Sequence, residues 1–258
     1  MDTDLLRRLP PVLRARGWRL YTTNGRLVDL WQSGGRALLG HNPPGLLRSI
    51  KNSGERGLFA PFPHSAEERL YKALGLLFPR RRFRLYKDEA SLDKMLTLSA
   101  ADGKAAIDKR WRPYLDKGAL ALFDTTPVFI PILPFSFPGA PAVLVLDPAA
   151  DAEFPPSQVL SPLVLTAAAR SIYDLLAVPK RGNPYFPKVD KALHISCRWK
   201  RRGIYLSVVL GGGETYASVF QHFLEGGFLL PPGPEENAIL PGELSPGEQA
   251  KLAALFGW

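Results

Sequence analysis

The stretch GRLVDLWQSGGRALLGHNPPGLLRSIKNSG, residues 25–54, decides the fold. Asn24-Gly25 lies between two short alternating apolar runs, 18–22 and 27–31, and this pattern is typical of a β-hairpin. The second run ends in small residues and glycines. An amphipathic segment follows, for which Asn42 is the expected N-cap and Pro43 the expected first helical residue. The stretch therefore predicts a hairpin, a glycine-rich turn and a helix in succession.

The rest of the sequence divides into three segments. Residues 1–80 hold the hairpin and two helices, the second beginning at an expected capping box, Ser65–Glu68. Residues 81–184 have an α/β pattern, with strand-like runs at 83–86, 119–123 and 143–146. The last two runs are uninterruptedly apolar, as buried parallel strands are. Residues 185–258 form an α+β tail, with strands expected at 192–199 and 203–210 and a second capping box at Ser245.

Composition limits the class of protein. The chain has 258 residues, 46% of them apolar, and a formal net charge of +9. No apolar run is long enough to cross a membrane, the first residues do not resemble a secretory signal, and there is a single cysteine, Cys197. A cytoplasmic location is therefore expected. The four histidines are scattered without metal-ligand spacing, so no metal site is expected.

The positive charge is concentrated in three clusters, at residues 80–84, 109–112 and 198–202. Cations interleaved with aromatic rings can bind phosphates and stack on bases, so a nucleic-acid-binding protein is one hypothesis. The chain has no motif typical of such proteins, and a solvated basic surface explains the same clusters. Nucleic acid is therefore not the expected partner.

The opening stretch resembles the N-terminal segment of class III aminotransferases, the fold-type-I pyridoxal-phosphate (PLP) enzymes that include the ornithine and glutamate-1-semialdehyde branches. The family pattern D-G-x-x-Y-L-D-x-x-x-G, then G-H-x-x-P-x-[IV]-x-x-A-I, is matched at Asn24-Gly25, Val28-Asp29, Gly34-Gly35, Gly40-His41, Pro44 and Ile50. The tail VFQHFLEGGFLLPPGPEENAILPGELSPGEQAKLAAL, residues 219–255, is similar to the family's C-terminal small domain. The resemblance covers roughly residues 16–90 and 200–256.

The resemblance implies a fold and a set of partners. It implies an α/β protein with a reduced fold-type-I large domain and an α+β small domain built from both chain termini. Family members are dimers, so it also implies a homodimer or a pairing with an aminotransferase-like partner. The apolar, proline-rich segment 128–141 is a candidate contact surface.

PLP chemistry needs a Schiff-base lysine, a buried carboxylate for the pyridine nitrogen, and a phosphate site at a helix N-terminus. The carboxylate has two candidates, Asp124 and Asp147, each at the end of an apolar run, where it could equally cap a turn. No lysine occurs between Lys117 and Lys180, which leaves Lys180 as the candidate amine, although a surface loop is also expected there.

The family's phosphate-binding turn, a Ser-Gly-Thr-Glu-Ala-like sequence, is degenerate in this chain. Tyr86-Lys87-Asp88 stands in place of its first three residues, and Glu89 matches the fourth. This replacement removes the glycine and brings a carboxylate toward the phosphate, which it would repel. Tyr86, Lys87 and Glu89 are therefore only candidate cofactor residues. The sequence favours a non-catalytic relative without cofactor, with binding or regulatory roles, over an active aminotransferase or aminomutase that uses PLP.

Overall fold

The computed structural model describes residues 3–101, 110–111, 126–178 and 184–257. Contacts between residues divide the chain into two compact units, one of residues 1–43 and 182–258, the other of residues 44–181. The first unit thus joins sequence from both ends of the chain. Residues 44–80, which sequence analysis assigned to the N-terminal segment, group with the α/β segment in the second unit.

The described residues of the first unit form two small sheets and four helices. The strands are β1 (Val12–Arg16), β2 (Arg19–Thr22), β3 (Gly25–Asp29), β8 (Trp199–Arg202), β9 (Tyr205–Val208), β10 (Phe228–Leu229) and β11 (Ala238–Ile239). Strands β1, β2 and β3 are antiparallel neighbours, and β10 pairs with β3 in parallel. Strands β11, β9 and β8 form a second, antiparallel sheet. The helices are α1 (Thr3–Leu6), α6 (Pro187–Ile195), α7 (Tyr216–Glu225) and α8 (Pro246–Leu255).

The second unit is built on a four-stranded mixed sheet of β4 (Arg82–Tyr86), β5 (Arg110–Trp111), β6 (Val128–Pro131) and β7 (Ala142–Leu146). The strand order in this sheet is β4-β7-β6-β5. Its helices are α2 (Pro44–Glu55), α3 (Ala66–Leu77), α4 (Glu89–Ala101) and α5 (Pro162–Ala177). Helices α2 and α3 both pack on α5. Tyr86 of β4 and the alternate side chains of β7 join Leu92 of α4 and Ile130 of β6 in one apolar cluster.

Several local predictions are confirmed. The Asn24-Gly25 hairpin joins β2 and β3 in register, with Thr22 opposite Gly25. Helix α8 has the expected capping box, in which Glu248 N–H donates to Ser245 Oγ and Ser245 N–H donates to Glu248 Oε2.

Strand β7 is buried at every position, as predicted, but its expected parallel direction is wrong. It pairs antiparallel with both β4 and β6. A strand covered on both faces is uniformly apolar whichever way it runs, so its composition carries no information on direction. The companion run at 119–123 lies outside the described residues.

Two other predictions are wrong for local reasons. Residues 192–195, expected in a strand, belong to α6, where Pro187 is at the first helical position and Val189 and Leu193 are buried four residues apart. Ser65 precedes α3 without a side-chain capping bond. His64 caps this helix instead, because the N–H of Ala66 donates to His64 Nδ1 at 3.0 Å.

The segment 128–141 is not an exposed contact surface. The side chains of Phe129, Leu133, Phe135 and Phe137 are all buried, at 9% exposure or less. Its apolar residues therefore fill the interior of the second unit, and the prediction that they form an open surface is wrong.

Candidate functional site

Three of the residues that carry the family resemblance, Asp29, Gly40 and His41, form a hydrogen-bonded cluster in the first unit. Asp29 ends β3 with its side chain only 2% exposed, and its Oδ1 accepts the backbone N–H groups of Trp31 (2.9 Å) and Gln32 (2.8 Å). Its Oδ2 lies 2.8 Å from His41 Nε2. Every oxygen of this buried carboxylate is therefore satisfied, as burial of a charge requires.

The position before His41 requires a glycine, Gly40, for two reasons. Its φ is +86°, and a Cβ there would lie 2.9 Å from the Cα of Gly17. The close approach lets His41 form a two-way backbone bridge with Gly17, through hydrogen bonds of 2.5 and 3.1 Å. The Gly-His pair thus holds the turn after β3 against Gly17, which lies between β1 and β2.

The position of the degenerate phosphate turn is the N-terminus of α4, which is occupied by the chain's own carboxylate. Ser91 N–H donates to Asp88 Oδ1 at 2.7 Å, which makes Asp88 the N-cap. Hydrogen bonds from the hydroxyl and backbone N–H of Ser91 lower the pKa of Asp88. A second carboxylate, Glu89, is in the first turn. Negative charge therefore already fills the end of the helix that would attract an anion.

The other residues of this turn do not open toward a ligand. Tyr86 is 1% exposed within the apolar cluster, its hydroxyl lies 3.4 Å from the carbonyl oxygen of Pro155, and burial raises its pKa. Lys87 is exposed, and its backbone N–H donates to Gln158 Oε1 at 2.8 Å. Glu89 is half-buried.

Asp147 ends β7 and caps the 3-10 turn that follows. Its Oδ1 accepts the N–H of Ala149 at 3.0 Å, and its side chain is 46% exposed, with Arg81 at 4.0 Å. A carboxylate that holds a pyridinium proton needs a buried setting, which this position does not provide. Asp124 and Lys180, the other two candidate catalytic residues, lie outside the described residues.

These observations test whether PLP fits the described residues, and it does not. The α4 N-terminus carries two carboxylates where a phosphate would bind. The segment that links β6 to β7, residues 132–141, contains no lysine. Asp147 is half-exposed and engaged as a cap. Within the described ranges, no group of three or more His, Cys, Asp or Glu side chains could hold a metal ion.

The basic clusters are partly neutralised within the fold. Arg84 pairs with Asp151 at 2.7 Å, Arg198 pairs with Glu214 at 2.6 Å, and Arg201 pairs with Asp190. Most of the cluster at 109–112 lies outside the described residues. The paired arginines favour the interpretation of these clusters as ordinary basic surface.

Sequence reasoning missed a set of arginines in the second unit. Arg48 of α2 and Arg56, which directly follows α2, line a cavity together with Arg69 of α3 and Arg170 of α5. The spacing of Arg48, Asn52 and Arg56 at i, i+4 and i+8 was the available signal, since such residues share one helix face. Arg69 and Arg170 join them only through the packing of three helices.

Comparison with known proteins identifies the fold of the chain. No family model matches the sequence. An uncharacterised protein of Treponema pallidum is 33% identical over 187 residues, which cover 71% of this chain and 59% of that protein. An uncharacterised protein of Borreliella burgdorferi is 43% identical over 63 residues, 24% of this chain and 23% of that protein. The chain thus matches less than two thirds of the length of either relative.

Solved aminotransferase structures match nearly the whole chain. Ornithine aminotransferase from Plasmodium yoelii superposes with a TM-score of 0.70 at 10% identity, covering 99% of this chain and 98% of that one. Acetylornithine aminotransferase from Elizabethkingia anophelis gives 0.63 at 12% identity, covering 96% and 94%. The chain therefore has the fold-type-I aminotransferase fold. At such identities the likeness extends to the fold alone.

In residues 3–101, 110–111, 126–178 and 184–257, no helix combines the length and the apolar character needed to cross a bilayer.

Proposed function

We propose that this chain is a degenerate aminotransferase-fold protein that works by binding and does not carry out PLP-dependent catalysis. One observation carries the proposal: the carboxylate of Asp88 accepts the N–H of Ser91 at the start of α4. A helix N-terminus binds phosphate through its free N–H groups and its positive dipole end. In this chain a fixed negative charge takes up that capacity. At about 4 Å, it would repel a second negative charge by about 1–4 kcal/mol.

Two further features argue against PLP-dependent catalysis. The sequence offers no lysine between Lys117 and Lys180, so the sheet of the second unit has no amine along β6, β7 or their connection. The carboxylate at the end of β7, Asp147, is half-exposed and serves as a turn cap. The rival hypothesis, an active PLP enzyme with a rearranged site, depends on Lys180 acting together with Asp147.

Covalent capture of PLP tests the proposal directly. The full chain is incubated with one equivalent of PLP, reduced with borohydride, digested, and mapped by mass spectrometry beside an ornithine aminotransferase treated in the same way. We expect the enzyme to carry a stoichiometric adduct on one lysine, and this chain to carry none above the level of random surface modification. A stoichiometric adduct on Lys180, lost in Lys180→Arg, would overturn the proposal and establish the rival.

We also propose that the chain acts as a homodimer or with an aminotransferase-like partner. Three large apolar side chains in residues 44–65 support an association surface, because Leu47, Phe59 and Phe62 are 54%, 66% and 51% exposed. Light scattering coupled to size-exclusion chromatography should give twice the monomer mass at micromolar concentration. If the mass stays monomeric throughout, pairing with an aminotransferase-like partner remains to be tested by co-purification, and the homodimer is excluded.

A further inference from the structure

A cavity of about 660 Å³ lies among α2, α3 and α5, entirely within the second unit. Four arginines line it: Arg48 from α2, Arg56 from the turn directly after α2, Arg69 from α3 and Arg170 from α5. None of its lining residues is an aspartate or a glutamate. Its volume is in the range that holds a small organic ligand of nucleotide size.

Most of this positive charge is not balanced by the protein. Among the described residues, no carboxylate lies within 4.0 Å of the guanidinium groups of Arg48, Arg56 or Arg69, although Arg69 lies 5.9 Å from the ring centre of Tyr173. Three like charges around one cavity repel each other, and an anion bound among them would relieve this repulsion. This sets the cavity apart from the basic clusters of the sequence, whose arginines are partly paired.

The fourth arginine is held in place on both sides. Arg170 donates from Nε and Nη2 to the two carboxylate oxygens of Asp174, at 3.1 and 2.5 Å, which fixes the plane of its guanidinium. That guanidinium also lies against Gly45 in the first turn of α2, where an added Cβ would be 2.5 Å from Nε. Arg170 is therefore a positioned group at the wall of the cavity.

The remaining polar lining consists mainly of hydrogen-bond donors or of groups able to donate. Ser49, Asn52 and Thr166 contribute hydroxyl and amide groups. His64 accepts the N–H of Ala66 through Nδ1, so the ring proton of its neutral form is on Nε2, which leaves that nitrogen as a donor. Guanidinium groups and hydroxyls together match the acceptor oxygens of a phosphate group.

We propose that this cavity binds a small organic phosphate, a molecule with one or more phosphate groups and a neutral remainder. This proposal rests on the proposed function, in which the chain works by binding. It names the class of ligand that is bound. The phosphate lies among Arg48, Arg56 and Arg69, and the neutral part contacts the serine, asparagine and threonine side chains of the lining.

Calorimetric titration of the full chain tests this, with pyrophosphate, ATP, adenosine and a single-stranded RNA as probes in about 50 mM salt. We compare wild type with the double variant Arg48→Gln/Arg56→Gln. Both positions are exposed, so the fold should be kept, and circular dichroism checks this. The matched control is Lys51→Gln/Lys72→Gln, which removes the same charge from exposed positions of α2 and α3 outside the cavity lining.

We expect pyrophosphate and ATP to bind wild type and the lysine control alike, within about twofold, and adenosine to bind neither. Loss of two charge-assisted contacts should weaken binding at least about tenfold in the arginine variant. Absence of binding, equal loss in the lysine control, or tight binding of a single-stranded RNA with no binding of ATP would each overturn the proposal.

The result of the calorimetric titration can be distinguished from the result of the PLP trapping experiment. PLP also carries a phosphate, so reversible PLP binding that pyrophosphate displaces, without a lysine adduct, supports the cavity. An adduct on Lys180 that pyrophosphate leaves unchanged contradicts the proposed function but says nothing against the cavity.

Discussion

The ion pair between Arg19 and Glu248 gives a quantitative prediction for the first unit. Arg19 donates from Nε and Nη2 to the two oxygens of Glu248 at 2.9 and 2.8 Å, across 229 residues of sequence. The Glu248 side chain is 8% exposed, and the backbone N–H of Ser245 also donates to it. These contacts, with the Arg19 hydrogen bond the largest cause, lower the pKa of Glu248 to about 2 from 4.5.

A carboxylate whose pKa is lower in the folded state stabilises the fold above its unfolded pKa and loses that contribution as pH falls. A shift of this size corresponds to about 3 kcal/mol at pH 7, at about 1.4 kcal/mol per pKa unit. Glu248→Gln keeps the shape and the capping position of the side chain but removes the charge. We therefore expect the free energy of unfolding at pH 7 to be about 3 kcal/mol lower in the variant than in the wild type. Linkage predicts that the difference in free energy of unfolding between wild type and variant narrows by about 1.4 kcal/mol between pH 7 and pH 3.5. The reason is that only the wild type has the stabilising Glu248 carboxylate, whose contribution falls as the pH is lowered.

Urea unfolding at a series of pH values, followed by tryptophan fluorescence, measures both quantities. Glu243→Gln is the matched control, because Glu243 pairs with the same Arg19 at 2.7 Å but its side chain is 67% exposed. An exposed pair contributes about 0–1 kcal/mol, so this variant should stay close to wild type. Equal losses in the two variants, or a Glu248→Gln gap that stays constant from pH 7 to pH 3.5, would refute the reasoning.

Two further predictions concern single backbone features. Gly40→Ala should lower the free energy of unfolding by about 2 kcal/mol or more, because the new Cβ lies 2.9 Å from the Gly17 backbone and a φ of +86° is strained for alanine. The control, Gly75→Ala, lies in a helix with open space around it and should be neutral or stabilising in the same urea experiment. Ser245→Ala should cost about 1 kcal/mol because it removes a capping bond, whereas Ser65→Ala, where no such bond exists, should leave the thermal midpoint within error, and equal shifts would contradict this assignment.

The parts of the fold that were predicted correctly are determined by interactions among a few residues close together in the sequence. Asn24-Gly25 closes a hairpin because glycine adopts the backbone angles that the turn needs. Ser245 and Glu248 cap α8 reciprocally, which requires only a spacing of three. Signals of this kind do not depend on the rest of the molecule.

The features that were missed depend on distant packing. The direction of β7 is set by its neighbours β4 and β6, and the apolar segment 128–141 is buried only once this sheet has formed. At Ser65, the neighbouring His64 accepts a hydrogen bond from the start of α3, and no rule of spacing distinguishes the two residues.

The candidate site divides in the same way. The unfavourable Asp88 could be found from the sequence, because it stands within one short turn, and the structure adds its hydrogen bond to Ser91. The arginine cavity could not, because Arg69 and Arg170 are about a hundred residues apart and meet only through α3 and α5.

The parallel pairing of β3 with β10 affects how the chain is made. Val28 leaves the ribosome about 200 residues before its partner Phe228, and the helix that carries Glu248 follows later still. At about 5–20 residues per second, the hairpin waits roughly 10–40 s with one edge unpaired. During that time the whole of residues 44–181 is synthesised and can fold, so the first unit to begin is the last to be completed. Until Phe228 and Leu229 are synthesised, the backbone groups of Val28 and Asp29 along this edge of β3 lack their native partner strand.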